Sequence, residues 1–187
     1  MTPLLRFVAV AVLLAGCGSS SKPLSPSSAE NSPPGDIPDN QAFVAYSPPG
    51  GGYTVKVPEG WARTSGGGAV TFTDKLNSIR MESRSASAAP TVATAKRVLV
   101  PKLQQTAHGF ALSNVSSVQR QGGTAIRIAY RADAPASAVT GRAGQDDVER
   151  YVFFHGGKDV VLTLSGPHGA DNVDPWKLVT DSLRWSG

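Results

Sequence analysis

The chain has 187 residues, 40% hydrophobic and 17% charged, and its 18 Lys and Arg outnumber 14 Asp and Glu for a formal net charge of +4. Its basic residues are scattered rather than clustered, so the charge carries no signature of a nucleic-acid groove and suits a mild attraction to anionic lipid or wall polymer. A lone cysteine excludes a disulfide or a Cys-based metal site within one chain.

The N-terminus reads as an export signal. Arg6 gives a thin positive region, and Phe7 to Ala15 form a short apolar core that fits a secretory segment. The run falls well short of the ~20 residues that span a bilayer. Leu14, Ala15, Gly16 and Cys17 resemble a bacterial lipobox: an aliphatic residue, two small ones, then a thiol. The resemblance implies cleavage between Gly16 and Cys17 and a lipid thioether on Cys17, leaving 187 − 16 = 171 residues. Two acyl chains at ~0.8 kcal/mol per buried CH2 hold a protein to a membrane effectively permanently. The expected location is therefore the extracytoplasmic face of the cell membrane.

Residues 17–41 carry the lipid-bearing cysteine and then a Ser- and Pro-rich segment, "GSSSKPLSPSSAENSPPGDIPDNQ". So few apolar residues cannot offset the entropy of ordering, and the segment reads as a disordered tether. Residues 42–187 are long enough for one domain with its own core.

Within that domain, "YTVKVPEGWAR" alternates Tyr53, Val55 and Val57 with polar residues, a half-buried strand. Pro58 and Gly60 turn the chain before Trp61. "AVTFTD" and "SIRMESR" form two further strands joined by a turn from Asp74 to Asn77. From Thr91 the period lengthens: Val92, Ala95, Leu99, Leu103, Thr106 and Phe110 share one helical face. Gly109 is the expected C′ stop, and Pro101 the expected site of a kink. Gly122-Gly123 and Gly156-Gly157 each sit between alternating arms and predict hairpins. "ADAPASAVTGRAGQ" between them reads as a mobile loop. A closing helix starts with Asp174 as cap and Pro175 at its first position, and places Trp176, Val179 and Leu183 on one face. This order of elements predicts an α+β fold, an antiparallel sheet packed with helices, with strands around one central helix.

The strand ending in "VPEGW", the hairpins and the closing "WKLVTDSLRW" resemble the Mog1/PsbP-like domain, and in particular small actinobacterial lipoproteins that carry it. The resemblance runs from Phe43 to Trp185 and implies an α/β/α sandwich. It also implies a role in binding or assembly, as in photosystem assembly subunits and a nuclear-transport regulator. No partner-binding residue carries over, because no matching motif is present.

The polar residues form no catalytic signature. His155 and His168 with Asp146, Asp147 or Asp171 offer metal-ligand types but no metal-ligand spacing. The sequence has no G-x-S-x-G elbow and no phosphate-binding glycine motif. Adjacent Asp146 and Asp147 on a strand point to opposite faces. Trp61, Trp176 and Trp185 are core anchors or the rim of a cleft. Arg80, Glu82 and Arg84 recur at every second residue, making one polar strand face. With Trp61, they are the candidate partner-binding residues.

The expectation is a non-enzymatic lipoprotein, without cofactor, metal or nucleic acid. It would bind an envelope protein or small ligand and reach the membrane through its lipid anchor. The alternatives are a carrier of a small apolar ligand, discriminated by a sizeable internal cavity, and an envelope hydrolase or metal enzyme.

Overall fold

Strand alternation and glycine turns build most of this molecule. The computed structural model describes residues 34–136, 141 and 143–186. Gly16, Cys17 and the segment up to residue 33 lie outside the described residues, as do 137–140 and 142 in the loop before Asp146.

Ten strands are described. β1 (Phe43–Tyr46), β2 (Tyr53–Pro58) and β10 (Arg184–Trp185) form a small sheet in the order β1-β2-β10. β3 (Ala62–Gly66), β4 (Ala69–Asp74), β5 (Asn77–Ser85), β6 (Ala111–Arg120), β7 (Gly123–Asp133), β8 (Gln145–His155) and β9 (Lys158–Pro167) form a seven-stranded sheet. Its order is β3-β4-β5-β9-β8-β7-β6, and every pairing is antiparallel.

Strand alternation gives that sheet two differently covered faces. One carries Phe72, Ile79, Met81, Leu162, Leu164, Tyr151 and Phe153. These pack on β2 and on α3 (Val173–Asp181), whose Trp176 and Val179 are buried there with Leu183 just beyond it. The other face carries Val115, Ile126, Ile128, Tyr130 and Val148. These pack beneath α1 (Val92–Thr94), a π-helical turn (Ala95–Leu99) and α2 (Val100–Thr106), which follow one another without a break. The first helical layer thus lies on one face rather than at the centre of the strands. Each core side chain taken out of water contributes about 1.5–3 kcal/mol.

The expected kink at Pro101 takes the form of a widened turn. Proline has no N–H, and its ring crowds the carbonyl four residues back. The π-helical turn just before it, with Val100 N–H bonded to Ala95 O, relieves that crowding while keeping Ala95 and Val100 buried on the sheet. The helix then ends at Thr106, capped by an extended Ala107. Gly109 (φ +64°) instead serves the turn into β6 and is not the C′ residue.

The two glycine pairs also differ. His155 pairs with Lys158, so Gly156 (φ +54°) and Gly157 (φ +77°) are the two central residues of a tight hairpin, as expected. In the other hairpin Arg120 pairs with Gly123, which shifts the turn to Gln121-Gly122. Gly122 is needed there for contact rather than for twist, since a Cβ would lie 2.5 Å from a Leu183 methyl.

α3 begins two residues earlier than its proline suggests. Asn172 is the N-cap, its carbonyl accepting from Trp176 N–H at 3.0 Å, so Asp174 lies within the first turn rather than at the cap. The Asn172 side chain is spent elsewhere. Its Oδ1 accepts from Ile37 N–H at 2.8 Å, and its Nδ2 donates to Gly35 O at 3.0 Å and to Asn77 Oδ1 at 3.1 Å. Asn77 Nδ2 also donates to Gly35 O at 2.8 Å, and Asp171 N–H to Asp36 Oδ1 at 2.9 Å. Ile37 is only 4% exposed and belongs to the core. Gly35, Asp36 and Ile37, assigned to the tether from composition, are therefore packed on the domain. Ile37 and the buried pair Asn77 and Asn172 fasten the segment to the sheet and α3.

Candidate functional site: a polar cleft beside α3

The core under α3 does not reach the far side of the sheet. Following one row across the strands, Met81 and Leu162 are buried apolar residues, Tyr151 is buried but polar at its tip, and Arg127 follows. The next row runs Ile79, Leu164, Glu149 and Ala129. Where these rows leave the cover of α3 they open into a cleft of about 240 Å³. Arg127, Ala129 and Glu149 line it from the sheet, Asn172, Val173 and Trp176 from α3 and its cap, and Ser113 and Asp147 from the flanks.

Its charges are tied together. The Arg127 guanidinium pairs with Glu149 Oε1, and Tyr151 O–H donates to Glu149 Oε2 at 2.5 Å. Arg120 donates to Tyr151 Oη at 3.3 Å and Thr180 Oγ1 at 3.1 Å, and pairs with Asp181 at 3.4 Å. The chain of contacts thus runs from the cleft to the end of α3. The hydrogen bond to Glu149 pushes the Arg127 pKa above its ordinary value despite burial. Burial, followed by the Glu149 contact, raises that of Tyr151. Both groups stay protonated in the neutral range, so this floor holds fixed donors. At the rim, His168 Nδ1 lies 2.9 Å from Asp147 Oδ2.

The opposite face carries a second polar cluster. Arg80, Glu82 and Arg84 do share that face. Glu82 accepts from Arg80 at 2.5 Å and from Arg150 at 2.6 Å, and Arg84 pairs with Asp159 at 3.1 Å. Burial alone would raise the Glu82 pKa, but the hydrogen bonds and charges of Arg80 and Arg150 outweigh it and lower the value. Trp61 is not brought to this cluster; it packs against the core on the α3 side of the sheet.

The three tryptophans do not meet. Trp176 lines the cleft, Trp61 packs on the core, and Trp185 donates from Nε1 to Gly122 O at 2.8 Å. His155 stacks on Trp185 at 5.1 Å, at the hairpin end of β8. His168 sits by Asp147 at the other end, about 26 Å away at ~3.3 Å per strand residue. That separation rules out a shared metal site for the two histidines. Asp146 and Asp147 diverge as expected: Asp146 is buried, and its pKa is raised by burial and by its neighbour, whereas Asp147 is half exposed with His168.

Sequence reasoning missed Arg127, Glu149, Tyr151 and Arg120. Their signal was a charge opposite the apolar stripe in "AIRIAY" and "DVERY", legible only once the register of β7 and β8 is known.

No family model matches the chain, and no curated protein matches it in sequence. Solved structures match it in fold. Cyanobacterial PsbP (CyanoP) from Synechocystis sp. PCC 6803 superposes with a TM-score of 0.56 at 18% identity, over 78% of this chain and 93% of that one. The Ran-binding protein Mog1p of Saccharomyces cerevisiae gives 0.54 at 10% identity, over 78% and 96%. This chain has the Mog1/PsbP-like α+β fold. At such low identity the likeness is one of architecture, and the polar cleft and the Glu82 cluster are argued from this chain's own residues.

Proposed function

We propose that this protein is a lipid-anchored extracytoplasmic lipoprotein whose Mog1/PsbP-like domain is a non-enzymatic binding module for a partner in the cell envelope. The observation that carries the binding role is that both polar surfaces are preorganised. Arg80, Glu82 and Arg150 on one face, and Arg127, Glu149, Tyr151 and Arg120 on the other, are held by one another above a filled core. Side chains already fixed lose little entropy when a partner arrives. Mog1p, a Ran-binding protein, is a precedent for protein binding by this architecture. The carrier reading is less well supported, because Tyr53, Tyr151, Phe153, Met81 and Leu162 fill the space between the layers. The anchor rests on the lipobox-like Leu14 to Cys17.

A photo-crosslinking residue at exposed Thr64, in the same row as Thr71 and Arg80, tests the module in native membranes. Reproducible capture of the same envelope protein is the expected result; recovery of lipid alone would favour the carrier. Cys17→Ala should abolish acyl labelling and membrane retention, and unchanged fractionation with membranes would refute the anchor.

A further inference from the structure

We propose that the cleft beside α3 binds one neutral, hydroxyl-rich ring, a single sugar unit, a ligand class that deepens the binding-module reading and rests on it. Size comes first. About 240 Å³ lies below the roughly 300–1,000 Å³ of sites for drug-sized ligands, which leaves room for one ring.

Charge narrows the class. Arg127 is paired with Glu149, and Asp147 shares a hydrogen bond with His168. A free anion entering the cleft meets the carboxylates of Glu149 and Asp147, and a free cation meets Arg127, so a net charge of either sign is opposed. Hydroxyl groups both donate and accept. They can therefore use the free lone pairs of the carboxylates together with the remaining guanidinium N–H groups, without breaking the Arg127–Glu149 pair.

The walls supply the apolar half of the recognition. Ala129, Val173 and Trp176 offer surface against which the C–H face of a sugar ring can rest. Trp176 is 7% exposed, and its buried indole N–H finds no acceptor among the described residues, an uncommon state for a buried donor.

The latch at Asn172 bears on the source of the ligand. Asn172 lines the cleft and also holds Gly35 and Ile37, so the chain enters the domain beside the cleft mouth. A sugar headgroup of a membrane glycolipid and a sugar unit free in the envelope share the recognised chemistry.

The full-length chain with 15N-labelled indole nitrogens separates these cases. D-glucose, D-galactose and D-mannose are titrated against it, in parallel with phosphatidylcholine nanodiscs with and without a monohexosyl diacylglycerol. The Trp176 resonance, assigned with Trp176→Phe, should move saturably while that of Trp185 stays put. Val173 is 71% exposed, so Val173→Arg blocks the mouth without touching the core and should weaken binding at least about tenfold. A response to free hexose supports a soluble source, and one to glycolipid alone a headgroup. An unmoved Trp176 resonance in both arms, equal binding by Val173→Arg, or equal binding of glucuronate would overturn the proposal. Crosslinking at Thr64 reads the opposite face. Retained adducts there with no Trp176 response remove the sugar ligand but leave the binding module.

Discussion

Arg80, Glu82 and Arg150 on one face of the sheet, and Arg127, Glu149 and Arg120 on the other, are the same chemistry in different surroundings. The first set lies on the strand surface of β5 and β8, with the Arg80 side chain 39% exposed and Glu82 shared by two arginines. The second is walled by α3, and a tyrosine hydroxyl joins its members. An ion pair on a flat face competes with water from above, whereas one beside a helix is shielded on one flank and bounds a cavity. The same residue types thus make a docking face in one place and a recess in the other.

That contrast breaks most easily on the α3 side. Asn172→Ala should destabilise the domain by about 3 kcal/mol, because Ile37 N–H, Gly35 O and Asn77 lose buried partners at once. Urea unfolding measures this, and a loss below about 1 kcal/mol would mean that the network is dispensable. Tyr151→Phe removes the hydroxyl between Glu149 and Arg120 and should cost about 2 kcal/mol. A cost no larger than that of Arg80→Ala would erase the difference between the two faces.

On the open face the expected effects are smaller and depend on pH. Glu82 has a folded pKa below its ordinary 4.5, so its contribution is fully present above that value and is lost as pH falls through the folded value. Glu82→Gln should therefore cost about 1 kcal/mol at neutral pH and nothing once the native carboxyl is protonated. Parallel urea titrations at neutral and strongly acid pH test the sign. Arg80→Ala should change stability by no more than about 0.5 kcal/mol, since Arg150 still holds Glu82 and Arg80 is partly solvated.

Legibility in the sequence followed the strength of local patterns. β2, the β4–β5 pair, the Gly156-Gly157 hairpin and the apolar face of α3 announce themselves by period and turn chemistry, and together they predicted the α+β class. β3 does not, because all its residues are exposed and nothing alternates in "ARTSG". Ile37 was hidden by its prolines and serines, since composition averages over a segment while one apolar side chain decides its docking. The cleft was hidden for a different reason. Arg127 and Glu149 meet only through the pairing of β7 with β8, and the wall opposite comes from α3, more than twenty residues further along the chain.

The asparagine latch also fixes how the molecule bears mechanical force. Tension on the chain ahead of Pro34 is delivered at Gly35 and Ile37, hence at the same moment to the β4–β5 turn through Asn77 and to the head of α3 through Asn172. A pull from that direction reaches the mouth of the cleft and, through Ile37, the core together.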